Sequence, residues 1–353
     1  MFVPAQTQNA FDPRQPFSRA EARAAGLTPE MLLSRRFHRI FWDTYVSRDV
    51  SITPLLRAKA VIRLVPSGSF ISHHTAAELW GAAVPADGAT HVTLPSAHRR
   101  QVRQGVRSHY RKYPAQTTLR KGLPISTPEQ TFLDLAAGDV GLVDLVVVAD
   151  GMIKAGHTSE QRLIDAAAQW SGRGCRAARR AASLARKGVD SPQETRLRLL
   201  LVLAGLPEPR VNLIIRGRDG SWRRRYDLAY EHLRLIIEYD GRKHAEDSRQ
   251  WLTDIFRREE LDQMRWRLVI VTSEGIYQEP LRTLERGTRC AAPVRSHRDP
   301  PPLQAGVAAA PPNALTRAVS RRLTSVEMTD LTLASRPKTG NVGLRVADQE
   351  SAD

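Results

Sequence analysis

Arg223-Arg-Arg-Tyr-Asp-Leu-Ala-Tyr230, followed by Leu233-Arg-Leu-Ile-Ile-Glu-Tyr-Asp-Gly-Arg-Lys-His244, decides how this chain is read. The two runs spell a β-hairpin and its exit loop, and they carry Asp227, Glu238, Asp240 and His244. Side chains two apart on a strand share a face, so Glu238 and Asp240 point one way while Ile237 and Tyr239 point the other. With a reversal near Glu231 to Leu233, Asp227 falls opposite Glu238, and facing residues of an antiparallel pair project from the same side. Three carboxylates gathered there repel one another unless a cation neutralises them. Hard oxygen ligands with open positions suit Mg²⁺ (or Mn²⁺), which polarises a phosphodiester and lowers the pKa of a bound water. Gly241 lets the backbone leave the strand, bringing His244 near as an acid or base. The bland alternative is a row of solvated acids paired with Arg223, Arg224, Arg225 and Arg234. It suits any one acid well and the complete set in one register poorly.

Working outward, the 353 residues leave room for two modest domains plus extensions. The net charge of +16 favours a polyanionic partner, DNA above all. The excess of Lys and Arg lies in residues 1–190, whereas residues 191–287 are nearly balanced because the acids concentrate there. Cys175 and Cys290 have neither metal-ligand spacing nor a disulfide framework, so a reducing cytoplasm is the expected home. No apolar run approaches the roughly 18 residues of a membrane span, and the first residues lack a basic or apolar leader, so no membrane association is expected.

Ser18, with Glu21 three residues on and Gly26 as a stop, opens a short helix, and Thr28-Pro29 restarts one through about Ser34. Strand-like alternation follows from Arg35 to Val46. Residues 15–50 therefore read as a winged helix-turn-helix, against a generic helical hairpin, with Arg35, Arg36 and Arg39 as phosphate contacts. Residues 51–170 read as a mixed α/β domain: a helix over Leu55 to Leu64, a helix begun at Ser72-His73-His74-Thr75, a strand over Thr90 to Pro95, and a helix capped at Ser126-Thr-Pro-Glu129. Adjacent residues diverge around a helix, so capping is favoured over metal binding for His73 and His74. Residues 171–190 form a basic connecting helix, either solvated or tracking phosphates with residues such as Arg176 and Arg180.

Ser191-Pro-Gln-Glu194 is a capping box that opens the unit 191–287. Glu194 either bonds back to the Ser191 amide or leans toward the acids from the face it shares with Leu197 and Leu201. The order helix, three strands, helix over Gln250 to Arg265 and strand from Trp266 gives an αβββαβ unit. Residues 288–353, rich in Pro, Ala, Ser and Thr, read as a disordered tail. The fold class is thus α+β / α/β throughout.

The succession of Glu194 on a helix, Asp227 on a strand, Glu238-Tyr-Asp240-Gly, His244, a helix and the Trp266 strand resembles the very-short-patch-repair-like endonucleases of the PD-(D/E)XK superfamily. The resemblance implies Mg²⁺-dependent DNA cleavage, with Asp227 and Glu238 as metal ligands and Asp240 at the place of the superfamily's lysine. His244 would assist proton transfer, and Glu194 would be the acid of the first helix. Arg265 stands where a glycine before the tryptophan is usual, and Ile270 where a polar or basic residue often follows. The amino-terminal part, through Ser72-His-His-Thr-Ala-Ala-Glu-Leu-Trp-Gly81 and Thr127-Pro-Glu-Gln-Thr-Phe-Leu-Asp134, is similar to the AbiEi-type antitoxin architecture, which implies a DNA-binding repressor. The leading expectation is a DNA endonuclease. Its rival is a non-catalytic antitoxin-like regulator retaining a nuclease-shaped domain, and both leave room for a homodimer and a toxin-type partner protein.

Overall fold

A computed structural model describes residues 11–96, 103–111, 114–216, 222–241, 256 and 258–291. The chain is mixed α/β with three sheets. The amino-terminal unit holds α1 (Arg19–Ala24), α2 (Pro29–Leu33), β1 (Phe37–Phe41) and β2 (Thr44–Ser47), with β1 and β2 paired antiparallel. The capping box is present: the Ser18 hydroxyl accepts from the Glu21 amide, and the Glu21 carboxylate accepts from the Ser18 amide. Phe17, Ala22, Leu32 and Tyr45 give this unit its own small core.

The second sheet has the order β5-β4-β3-β7-β6, built from β3 (Phe70–Ile71), β4 (Thr90–Leu94), β5 (Val106–Tyr110), β6 (Thr117–Arg120) and β7 (Leu123–Ser126). Helices α3 (Pro54–Ile62), α4 (His73–Leu79), α5 (Pro128–Ala136), α6 (Leu142–Lys154), α7 (Glu160–Gln169) and α8 (Cys175–Leu184) accompany it. All nine residues of α5 are buried, and so are nine residues of the valine-rich α6. α6 is enclosed by apolar residues on most of its circumference, whereas α5 also buries Glu129, Gln130, Thr131 and Asp134. α8 is part of this packing rather than a free connector, since Ala178, Ala181 and Ala182 are buried. Gly174 opens it at φ +78°, and a Cβ there would collide with the Ala136 carbonyl.

The third sheet has the order β11-β10-β9-β8, from β8 (Arg210–Arg216), β9 (Trp222–Tyr230), β10 (Leu235–Tyr239) and β11 (Arg267–Val271). β8, β9 and β10 pair antiparallel in turn, and β11 joins β10 in parallel. α9 (Pro192–Leu203) precedes the sheet, α10 (residues 258–263) lies before β11, and α11 (Ser273–Tyr277) and α12 (Pro280–Ala291) follow. The αβββαβ order is the one read from the sequence. α12 carries regular structure to Ala291, past the expected start of the tail at 288. Residues 292–353 lie outside the described residues, as do the Asp219-Gly220 turn and most of the helix read over 250–265. Arg265 has φ +59°, a left-handed conformation that favours glycine.

One continuous apolar core runs from Phe41 to Leu284 and joins the second and third sheets. At their junction the Arg198 side chain is wholly buried. It lies 3.1 Å from Asp150 and 3.0 Å from Glu208, and donates to the Leu184 carbonyl at 2.7 Å. Asp150 also accepts from Thr195 Oγ1 and the Arg186 amide. These bonds offset much of the desolvation cost of the buried ion pair, although Arg198 Nε has no hydrogen-bond partner. α6 and α9 are therefore bound by charge as well as by apolar contact.

Candidate functional site

The register of β9 and β10 pairs Leu235 with Tyr230, Ile236 with Ala229 and Ile237 with Leu228. Continued by one step, it sets Glu238 across from Asp227. Asp227 Oδ2 accepts the Tyr239 amide at 2.9 Å, so this carboxylate closes the end of the ladder as well as facing the site. Glu238 and Asp240 are half-buried, two residues apart on the same face. His244 lies outside the described residues.

Glu194 keeps the helix cap but not the bond expected of its carboxylate. Its amide donates to Ser191 Oγ at 3.2 Å, but its carboxylate accepts from the Asp190 amide at 2.9 Å rather than from the Ser191 amide. The residue before the cap offers the nearer donor. Burial raises the Glu194 pKa, the Asp190 bond opposes that rise, and the charge of Asp227 adds to it. The Asp227 charge thus reaches Glu194. Of the neighbouring cations, Arg225 pairs with Asp190 and Arg234 donates to the Met264 carbonyl.

The donor chemistry of Asp227, Glu238 and Asp240 fits Mg²⁺ or Mn²⁺, since all are hard carboxylate oxygens. Their spacing does not close as a trio. Among the described residues, the groups of three ligand-type side chains with donor atoms within 4.8 Å of one another are His73, His91 and His109, and His74, Asp87 and His91.

These histidines correct the capping reading of the His73–His74 pair. Ser72 makes no side-chain bond to its helix; its hydroxyl accepts from Thr93 Oγ1 and lies 3.0 Å from His73 Nδ1. His73 has φ +51° and its ring stacks on His109, with centroids 3.5 Å apart. Burial depresses His73 to about 2 and His74 to about 4, with neighbouring histidines adding to both shifts. His91 is shifted down chiefly by burial, against the opposing influence of Asp87. The signal that could have found the cluster is the alternation of His91 with His109 on two strands, which needs knowledge of their pairing.

On the amino-terminal unit, Arg35, Arg36 and Arg39 are exposed. An open groove of about 640 Å³ is lined by Arg39, Trp42 and Arg103 among others. Trp42, at the tip of the β1–β2 hairpin, is 64% exposed and carries the Arg19 guanidinium 5.1 Å from its ring. α2, the helix expected to enter a groove, has only five residues and leaves Leu33 exposed. On α8, Arg176 and Arg180 are exposed, whereas Arg179 donates to the carbonyls of Ala167 and Trp170 and so serves the end of α7.

Two curated proteins of Mycobacterium tuberculosis, from strains CDC 1551 / Oshkosh and ATCC 25618 / H37Rv, each described as uncharacterized, are 26% identical to this chain over 259 residues. The alignment covers 71% of this chain and 91% of each of theirs. No solved structure matches it significantly. No helix among the described residues is long and apolar enough to cross a membrane. Residues 69–186, which hold the second sheet and α4 to α8, are similar to the AbiEi antitoxin C-terminal domain.

Proposed function

We propose that this chain is a DNA-binding regulator of the antitoxin type. One observation carries the reading: two short helices and a β-hairpin, the order of a winged helix-turn-helix, precede, with α3 between, a unit similar to the AbiEi antitoxin C-terminal domain. Arg35, Arg36 and Arg39 supply positive charge beside the wing, and the chain's net charge of +16 adds long-range attraction to a polyanion. DNA is then the first partner and a toxin-type protein the second. Fluorescence anisotropy with duplex DNA at stepped salt tests the reading. Affinity should fall steeply as salt rises, and replacing Arg35, Arg36 and Arg39 together by Ala should flatten the salt slope by about three. Failure to bind any duplex at low salt, including DNA flanking its own gene, would refute it.

A second reading rests on the site at β9 and β10. The αβββαβ order, Glu238 opposite Asp227 and the mutual influence of Glu194 and Asp227 support a DNA endonuclease. Asp227, Glu238 and Asp240 would hold Mg²⁺ or Mn²⁺, which when bound supplies phosphodiester polarisation and an activated water. Asp227 also fixes the Tyr239 amide, and Glu194 is poised near it as a carboxyl of raised pKa. Plasmid nicking in Mg²⁺ and Mn²⁺ decides the matter: activity lost in Asp227→Ala with DNA binding retained supports cleavage, and an inert wild type across many sequences removes it.

A further inference from the structure

We propose that His74, Asp87 and His91 form a binding site for a divalent first-row transition metal of the Zn²⁺ type, apart from the acidic hairpin. The three come from different places: His74 from the first turn of α4, Asp87 from the loop before β4, and His91 from β4 itself. Their ligand-type atoms lie within 4.8 Å of one another. Two imidazoles and a carboxylate with room for a fourth ligand are a donor set that zinc accepts in tetrahedral sites.

His74 shows a feature that an ion explains, and Asp87 and His91 are held where they could share that ion. His74 Nδ1 is buried and has no hydrogen-bond partner, which is costly for a polar atom. Asp87 is held in place through Oδ1, which accepts the Ala89 amide at 3.0 Å, leaving Oδ2 to face His91 Nε2 at 2.5 Å. Arg107 approaches the same oxygen at 3.3 Å from an exposed position, where water can replace it. His91 is 1% exposed, and its other nitrogen, Nδ1, lies 2.9 Å from His109 Nε2. That second bond fixes the ring and its tautomer, as metal-bound histidines usually require of a neighbour. His109 thus serves as a positioning residue.

The neighbouring group of His73, His91 and His109 is the poorer candidate. The His73 and His109 rings are stacked with planes 10° apart. In-plane lone pairs of two parallel rings do not converge on one ion, so His73 would have to swing off His109 first.

Isothermal titration of untagged, chelator-stripped full-length protein with Zn²⁺ tests the site, with the visible spectrum of the Co²⁺ form reporting coordination. The wild type should take up one equivalent with a four-coordinate Co²⁺ spectrum. Asp87→Asn and His74→Gln should each weaken uptake by about 100-fold or more, beyond the loss usual for outer-shell changes, while His73→Gln should leave it intact. His74 is partly exposed, so His74→Gln decides the question if Asp87→Asn misfolds. No uptake by the wild type overturns the proposal. So does retention in both His74→Gln and a folded Asp87→Asn, or loss confined to His73→Gln or to Asp227→Ala.

Discussion

The second and third sheets use ionisable side chains in opposite ways. In the second, they turn inward from separate elements: His73, His74, His91 and His109 pack ring against ring, and Asp134 is buried against Arg111 and Gln130. In the third, Asp227, Glu238 and Asp240 line the ends of adjacent strands and stay half-buried. The family similarity covers the inward-facing arrangement, and the catalytic-looking acids lie beyond it. Buried ionisable groups thus gather from elements distant in sequence, whereas the half-buried acids come from neighbouring strands. What joins the two parts is Arg198.

The most damaging change should be the one that severs that join. Arg198→Met leaves Asp150 charged and buried without its partner, and should cost about 3–5 kcal/mol in denaturant unfolding. As a control, Arg282→Ala removes an ion pair with Glu279 in which both side chains are exposed, and should cost no more than about 1 kcal/mol. Equal losses in the two variants would mean that the buried pair does not hold the sheets together.

A subtler probe concerns the second sheet alone. Burial pushes the Asp134 pKa up to about 6, against the opposing influence of Arg111 and Gln130. The folded chain therefore holds this proton more tightly than the unfolded chain, where an aspartate titrates near about 4. The group contributes most below that value, and its contribution declines as pH rises through about 6. Urea midpoints of wild type and Asp134→Asn should thus diverge in favour of the variant between those limits. Parallel curves would place Asp134 in a more solvated setting.

The smallest expected effect lies on the third sheet. Arg265→Gly relieves a left-handed residue and should be neutral or stabilising by up to about 1 kcal/mol, measured by the same method. A clear loss would show that the arginine side chain contributes more than its backbone costs.

Periodicity made the third sheet readable because its information is local. Asp227 and Glu238 are eleven positions apart across one tight reversal, so alternation and a turn suffice to place them. The capping signals of α1, α2, α5 and α9 are likewise short-range, and all four caps are present. The histidine cluster was not legible for the converse reason. His73 and His74 look like helix-start residues, and His91 looks like one polar position in a strand. Only the parallel pairing of β4 with β5, which no local pattern encodes, brings His109 beside them. Arg198 was hidden similarly: on α9 it reads as one more cation in a basic chain, and its burial depends on Asp150 of α6, 48 positions away.

The similarity to the antitoxin domain ends at Arg186, five residues before α9 is capped by Ser191. The core and the Arg198–Asp150 pair run straight across that limit. The limit of the family match is thus not a seam of folding. A cut made there would leave Asp150 buried without Arg198, which keeps Glu208, so the antitoxin-like unit leans on α9 to neutralise its own buried acid.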